Sequence, residues 1–479
     1  MRQYRRTDLV IREAPDFSCD ITAQYANARE VADINFAAYC GSKPGYYIMT
    51  LGCQQNEADS ERLAGWAEAM GYVKTEAADA KLLLVNTCAV REHAETRAFS
   101  FIGEFKHIKD LDPSVIIGVG GCMVSQAHRA EKIKNSYPYV NFVFDTASLH
   151  RLPELVLNAI NGGRRKFISS NEAKIVEGVP LVRTSKHTAL LSVMYGCNNF
   201  CSYCIVPYTR GRERSRTPDA VIEEAKMLVE TGAKEIMLLG QNVNSYGKDL
   251  DEKCDIAELM HKVCAIDGDF RVRFMTSHPK DASDELIAAV AEEKKMIKHL
   301  HLPVQSGSDA ILQKMNRRYT AEKYMGIIEK MKAAYPDISL TSDIIVGFPG
   351  ETEADFQATL DLISAVGYDM TFSFIYSPRV GTPAAKMPDQ IPHEVSTERF
   401  ERLMKLENEL SLARNSRFVG RTVRVVVDEV SKYDGSMLTG RGDPVRPIHF
   451  AGSDDMIGCF ADVKITGAET FSLSGEIVK

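Results

Sequence analysis

From residue 45 to about 160 the chain alternates short apolar runs with longer stretches whose apolar residues recur every three or four positions. The runs at 46–51, 81–87, 115–121 and 140–144 read as strands. The stretches at 58–70, 91–109 and one ending near 135 read as helices. Such alternation predicts an α/β domain, an open parallel sheet with helices on both faces. Polar, turn-rich sequence over 161–187 predicts a linker. A second alternation then repeats six times, with strands at 190–195, 235–239, 272–277, 299–303, 339–346 and 371–376. Helices fall between them at 220–230, 255–265, 284–292, 321–334 and 354–366, and a long charged helix at 397–416 ends the set. Six βα units predict an incomplete, TIM-like (βα)6 barrel, open on one side. After Gly420 only short strands remain, at 422–428, 437–440, 448–451, 460–465 and 473–478, which predicts a small antiparallel β-barrel. Residues 1–43 are polar and irregular, with a weak helical stretch at 21–36, and read as a partly disordered extension. The expected divisions are 1–43, 44–162, 183–416 and 417–479.

Composition narrows the class. At 479 residues with 44% apolar and 26% charged residues, the chain is a multidomain globular protein. No segment holds the ~18 uninterrupted apolar residues of a membrane span, and the first ten residues lack the apolar core of a signal peptide. A cytoplasmic protein with no membrane partner is expected. In that reducing compartment eleven cysteines point to metal or catalysis rather than disulfides. A net charge of −7 means that any RNA contact must come from local patches.

The cysteines carry the chemistry. Cys197, Cys201 and Cys204 stand in a C-x3-C-x2-C spacing directly after a buried-strand pattern. Soft thiolates so close in sequence suit an iron–sulfur cluster, and three ligands leave one iron of a [4Fe–4S] cluster open to bind a cofactor. A zinc site is the competing reading, but no second cysteine pair and no near histidine follows Cys204. Cys53, Cys88 and Cys122 are far apart in sequence, yet each follows the end of a predicted strand of the first sheet. The carboxyl ends of parallel strands share one rim where ligands bind, so these three can converge on a second centre. Cys19, Cys40, Cys254, Cys264 and Cys459 have no ligand-like placement and read as ordinary thiols.

C-x3-C-x2-C with an aromatic residue, Tyr203, before its last cysteine resembles the radical S-adenosylmethionine superfamily. The three-cysteine N-terminal domain and the small C-terminal barrel make the chain similar to the methylthiotransferases, which join a cluster domain, a radical barrel and a TRAM domain. The stretches 50–62, TLGCQQNEADSER, and 86–94, NTCAVREHA, resemble the branch that acts on isopentenylated adenosine in tRNA. Gln55 departs from the methionine of many relatives. The resemblance implies two [4Fe–4S] clusters. The one on Cys197, Cys201 and Cys204 would bind S-adenosylmethionine and, once reduced, cleave it to a 5′-deoxyadenosyl radical. The one on Cys53, Cys88 and Cys122 would supply or carry the sulfur, which a first cofactor molecule methylates. It implies cofactor contacts at the barrel strand ends: Tyr203, Gly240, Gln241, Asn242, Ser277, Gln305, Asp343 and Arg379. It also implies a tRNA anticodon arm as partner, a flavodoxin or ferredoxin as electron donor, and a monomer. Arg210, Arg212, Arg214 and Arg216 alternate after the radical cysteines and suit phosphate or carboxylate binding. On the C-terminal barrel Arg421, Arg441 and Arg446 would meet phosphates, joined by Arg424, Lys432 and His449, with Tyr433 or Phe450 stacking a base.

Three functions compete on these residues. The first is radical methylthiolation of isopentenyl-adenosine beside the tRNA anticodon. The second is the same chemistry on threonylcarbamoyl-adenosine or on a ribosomal-protein aspartate. The third is a non-enzymatic RNA-binding iron–sulfur sensor, which leaves the polar motifs at six barrel strand ends without a purpose.

Overall fold

The computed structural model describes residues 21–90, 92–169, 174–432 and 434–478. Its contacts divide the chain into two compact units. The first contains 21–184, together with 195–198 and 205–214.

Six parallel strands form the sheet of this unit: β1 (Gly45–Thr50), β2 (Val73–Lys74), β3 (Ala80–Thr87), β4 (Ile116–Gly121), β5 (Phe142–Phe144) and β6 (Lys166–Ile168). Their order is β2-β1-β3-β4-β5-β6. The helices are α1 (Ile21–Ala38), α2 (Gln54–Ala69), α3 (Glu92–Leu111), α4 (Ala127–Ser136) and α5 (Leu152–Ile160). β3 shows why the sheet is covered on both faces. Leu82 and Leu84 enter a core with Trp66, Phe142 and Phe144, while Leu83 and Val85 enter another with Ile102, Phe105, Ile117 and Val119. A strand buried on both sides needs a continuous apolar run, which is what Leu82–Val85 supply. Gly118 and Gly120 of β4 are required, because a Cβ at either would sit 2.1 and 2.4 Å from the rings of Phe142 and Phe144.

Two expectations change here. The helical stretch expected at 21–36 is α1, and its Ala28 and Val31 pack into the core of this unit rather than lying in a loose extension; residues 1–20 lie outside the described residues. The 161–187 segment is not a free linker. β6 extends the sheet. Val182 N donates to Glu61 O (2.9 Å), and Thr184 N and Oγ1 donate to Glu61 Oε1 (2.8 and 2.7 Å). Cys19 and Tyr433 lie outside the described residues.

The second unit contains 185–194, 199–204 and 215–478. The two-residue strands β8 (Met194–Tyr195) and β9 (Arg214–Ser215) and the short α6 (Val206–Thr209) follow β7 (Thr188–Ser192) along the chain. Parallel β10 (Glu235–Leu239), β11 (Arg271–Phe274), β12 (His299–His301), β13 (Ser339–Val346) and β14 (Met370–Ile375) continue from β7 as the two ordered triplets β11-β10-β7 and β12-β13-β14. A bridge from Val272 to Met296 lies between the triplets. Around them lie α7 (Pro218–Glu230), α8 (Ile256–Cys264), α9 (Asp284–Glu292), α10 (Asp309–Lys314), α11 (Ala321–Ala334), α12 (Glu353–Val366) and α13 (His393–Ser416). This is the incomplete barrel, with one core running from Leu191 to Leu403. α10 is an addition to the expected set.

The last strands, β15 (Thr422–Val430), β16 (Met437–Arg441), β17 (Ile448–Ala451), β18 (Phe460–Ala468) and β19 (Leu473–Ile477), close a barrel in the order β15-β16-β17-β19-β18. It is not wholly antiparallel, because β17 and β19 pair in parallel. No described helix is long and apolar enough to cross a membrane.

Candidate functional site: two sets of three cysteines

Strands β1, β3 and β4 are adjacent and parallel, with Thr50 opposite Asn86 and Thr87 opposite Gly121. Their carboxyl ends therefore lie on one rim, and Cys53, Cys88 and Cys122 each follow one of them. Cys53 stands at the N-cap of α2 and is exposed, while Cys88 and Cys122 are buried. The backbone leaves no slack between them. Gly52 has φ +125°, and a Cβ there would sit 2.8 Å from Cys88 Cβ. Gly121 has φ +99°, and a Cβ there would sit 2.4 Å from Thr87 O.

The three thiols also sense one another. Burial pushes Cys122 up to about 11; Arg210 pulls it down, and Cys53 and Cys88 push it further up. A floor of buried polar groups fixes the rim. Asn56 Nδ2 donates to Thr87 O (2.8 Å), and Asn86 Nδ2 donates to Asn56 O (2.8 Å) and Ser60 Oγ (2.9 Å). Gln55 Nε2 donates to Asp59 Oδ1 (3.2 Å), and Asp59 Oδ2 receives Arg210 Nη2 at 2.8 Å. Gln55 thus supports a buried ion pair.

Among the described residues no three His, Cys, Asp or Glu side chains gather around one point as ligands of a single ion do. A zinc site needs that compact set. A four-iron cluster spreads its thiolates over different irons, so three cysteines on one rim, two of them buried and Cys122 under the influence of the Arg210 charge, suit a cluster.

The C-x3-C-x2-C segment contributes residues to each unit. In the first unit, Cys197 is buried and its N donates to Gly211 O (3.1 Å). Gly196 before it has φ +79°, and a Cβ there would sit 2.0 Å from Arg212 O, so only glycine fits. In the second unit, the segment 199–204 is clasped by the turn after α10. Ser202 N donates to Met315 O (3.0 Å), and Asn316 Nδ2 donates to Phe200 O (2.9 Å) and Asn199 O (3.3 Å). Phe200 and Asn316 both adopt positive φ, +48° and +58°. Cys204 N donates to Cys201 O (2.9 Å), which closes the turn between these two cysteines. The next residue of the clasp, Arg317, donates Nη1 to Cys201 Sγ and to Tyr203 Oη, each at 3.4 Å. Sequence reasoning missed Asn56, Asp59, Asn316 and Arg317; only the folded chain brings them to the cysteines.

The remaining expected contacts lie at barrel strand ends. Gly240 ends β10, and a Cβ there would meet Met194 Cγ at 2.5 Å. Gln241 and Asn242 follow it. Asn242 is buried; its Nδ2 donates to Asp281 Oδ2 (2.9 Å), and its Oδ1 has no partner among the described residues. Ser277 is buried and its hydroxyl donates to His301 O. The neighbouring His278 is pushed down to about 2 by burial first and by Arg317 next, so it stays neutral. Gln305 has φ +72°, and its backbone bridges Asp343 O and Ile345 N (2.9 Å each). Asp343 Oδ1 lies 3.6 Å from His301 Nε2. Arg379 O accepts from Thr382 N (3.0 Å), and its side chain is half-buried after β14.

The arginines expected on RNA divide. Arg210 and Arg216 are buried, and the expectation that they face phosphate is corrected. Arg210 is committed to Asp59, and Arg216 to Ser192 O (2.8 Å) and Glu224 Oε2 (2.6 Å). Arg446 is also buried, with Nη2 on Ser411 Oγ (2.6 Å), and Arg441 spends its fork on Asp428. Phe450 lies in the barrel core and cannot stack a base. Arg214 turns back onto Arg212 O (3.0 Å). Arg212 is exposed. Arg421 and Arg424 are exposed and paired with Asp337 (2.9 Å) and Asp269 (2.7 Å). Lys432 meets Glu429 (3.1 Å), and His449 Nδ1 meets Thr439 Oγ1 (3.1 Å).

Three family models match the chain: the Radical SAM superfamily over 191–363, uncharacterized protein family UPF0004 over 45–145, and the TRAM domain over 416–478. The chain is 49% identical, over 453 residues, to a tRNA-2-methylthio-N(6)-dimethylallyladenosine synthase of Thermoanaerobacter pseudethanolicus, covering 94% of this chain and 95% of that one. It is 47% identical, over 463 residues, to a protein of the same name from Caldicellulosiruptor saccharolyticus, covering 96% and 98%. Among solved structures, its fold resembles the radical S-adenosylmethionine methyltransferase TsrM of Kitasatospora setae with cobalamin and a [4Fe–4S] cluster bound. That match has a TM-score of 0.53 at 15% identity and covers 72% of this chain and 77% of that one.

Proposed function

The chain belongs to the tRNA-2-methylthio-N(6)-dimethylallyladenosine synthases, radical S-adenosylmethionine tRNA methylthiotransferases, and from that premise we propose its substrate and the division of labour between its cysteines. The substrate is the isopentenyl-adenosine at position 37 of tRNA, next to the anticodon. Near-full-length identity of 47–49% to proteins of that name supports this choice over threonylcarbamoyl-adenosine or a ribosomal-protein aspartate.

The observation that carries the two-centre reading is the rim. Three adjacent parallel strands each end at a cysteine, and a second set of three follows the first strand of the barrel. Cys53, Cys88 and Cys122 would hold one [4Fe–4S] cluster and the sulfur to be inserted. Cys197, Cys201 and Cys204 would hold the other, with one iron open to S-adenosylmethionine. When bound and reduced, this second cluster supplies the electron that opens the cofactor to a 5′-deoxyadenosyl radical.

The chain's own residues supply position and shielding. The Asn56–Asn86–Asp59–Arg210 floor holds the first rim in one geometry. The turn 314–318 holds the second cysteine segment. Asn242 Oδ1, Gln241, Asp343 and Arg379 offer polar groups at barrel exits for the cofactor's amino, ribose and carboxylate groups. Divisions near 44–162, 183–416 and 417–479 remain our working domains, with α1 added to the first. Arg212, Arg421 and Arg424 are the exposed arginines we assign to the anticodon arm. A small one-electron protein, flavodoxin or ferredoxin, would deliver the electron to a monomeric, cytoplasmic enzyme.

Mass spectrometry of tRNA nucleosides in a host lacking its own enzyme, with and without this chain, tests the proposal. Methylthio-isopentenyl-adenosine appearing with the chain is expected. Methylthio-threonylcarbamoyl-adenosine in its place would overturn the substrate, and neither product would overturn the activity.

A further inference from the structure

Among the described residues Arg317 is a buried guanidinium with no carboxylate partner. It is 4% exposed. Nη2 donates to Pro303 O (2.6 Å), Nε to Tyr319 Oη (3.0 Å), and Nη1 to Tyr203 Oη and Cys201 Sγ (3.4 Å each). The ring of Tyr319 also lies 5.3 Å from its charge centre. Every one of these partners is neutral except, on deprotonation, the thiol. A charge removed from water demands a countercharge. Four other buried arginines meet that demand with carboxylates: Arg210 with Asp59, Arg216 with Glu224, Arg273 with Glu235 and Arg399 with Glu351. Buried Arg271 and Arg446 donate instead to backbone carbonyls and a hydroxyl. Arg317 is the one of these buried arginines with a described bond to a cysteine sulfur.

We propose that Arg317 is the fixed counterion of the cluster held by Cys197, Cys201 and Cys204, a positioning residue that raises its reduction potential. This rests on the assignment of that cluster to those cysteines. Three thiolates give a [4Fe–4S]2+ cluster a net charge of −1. One electron from an external one-electron donor takes it to −2 with no bond made or broken. A cation and an N–H···S bond at the thiolate stabilise the more negative state and so favour reduction.

The clasp explains how the guanidinium is aimed. The turn that carries it also holds 199–202: Lys314 O accepts from Ser202 Oγ, Met315 O from Ser202 N, and Asn316 Nδ2 donates to Asn199 O and Phe200 O. Arg317 therefore cannot shift without moving the cysteine loop itself. His278, which faces Arg317 from the end of β11 and is edge-on to Tyr319 at 5.6 Å, is neutral and adds no charge. Lys280, bonded to Asn199 Oδ1 at 2.9 Å, is a second cation on this side but touches no sulfur in its described bonds.

The test is a potentiometric titration of the full-length, cluster-loaded protein, read by electron paramagnetic resonance. The relevant signal is the one that changes when S-adenosylmethionine is added. In R317M the equilibrium constant for reduction should fall at least tenfold, about 59 mV for a one-electron couple. R317K keeps the charge but loses the planar fork, and its fall should be smaller. It carries the test alone if R317M fails to retain iron. A midpoint unchanged from wild type in a variant that keeps its iron overturns the counterion role and leaves the cluster assignment standing. Wild-type protein with no signal responsive to S-adenosylmethionine overturns the assignment and this proposal with it.

Discussion

The Arg210–Asp59 pair is the deepest ion pair next to the strand-end cysteines. Its side chains are 5% and 8% exposed, and the contact is 2.8 Å. Both charges are removed from water, and Asn56 Oδ1 is the only other described acceptor on Arg210 (3.3 Å). Breaking a buried pair by deleting one partner leaves the other charge uncompensated and costs about 3–5 kcal/mol. R210M and D59N should therefore each destabilise the first unit by about that amount. The double variant R210M/D59N removes both charges, so it should cost much less than the sum, with a coupling of about 2 kcal/mol or more.

The single tryptophan makes the assay local. Trp66 is fully buried on α2, the helix that carries Asp59, so its fluorescence reports this unit alone. Urea unfolding of chelator-stripped protein avoids stabilisation by bound clusters. With a slope of about 2 kcal/mol per molar urea, each single variant should lower the midpoint by roughly 2 M. Single variants within about 0.5 kcal/mol of wild type, or a double variant equal to the sum of the singles, would refute the reasoning.

Three further outcomes are expected. G196A places a Cβ 2.0 Å from Arg212 O at a φ of +79°; iron per chain should fall by the content of one cluster, measured after reconstitution, while Trp66 unfolding stays near wild type. His150 is pushed down to about 4 by burial and then by Arg151, so the fold favours its neutral form. Its contribution is complete above the unfolded value near 6.5 and is lost as pH falls from 6.5 towards 4, by roughly 2–3 kcal/mol; H150Q should flatten that loss in Trp66 melts. N316A removes the amide that holds Asn199 O and Phe200 O and strains a φ of +58°; chelator should strip the C-x3-C-x2-C cluster several-fold faster, followed by absorbance, with N316G intermediate.

What was legible in the sequence had a local cause. β3 was readable because a strand buried on both faces needs a continuous apolar run, which 82–85 supply. The cysteine rim was readable because the end of a parallel strand has a known place in the sheet. What was missed depends on partners distant in the chain. α1 looked weak because it buries Gln24 and Asn35 beside Ala28 and Val31, and Asn35 Nδ2 finds its partner far along the chain, at Met70 O (2.9 Å). The 161–187 segment looked like a linker because its attachment runs through Glu61, more than 120 residues earlier. Arg210 carried the same local pattern as exposed Arg212, and only Asp59, 151 positions away, buries it. Arg317 sits beside Arg318 in sequence with nothing local to distinguish them, until the fold brings Cys201 and Tyr203 to one of them.

The claim that one chain holds two clusters on two sets of three cysteines is tested most directly by counting iron and acid-labile sulfide per chain after anaerobic reconstitution. Wild type should carry two clusters, while the Cys53/Cys88/Cys122 triple alanine variant and the Cys197/Cys201/Cys204 triple alanine variant should each carry one. A wild type that holds a single cluster, lost in either triple variant, would contradict the account.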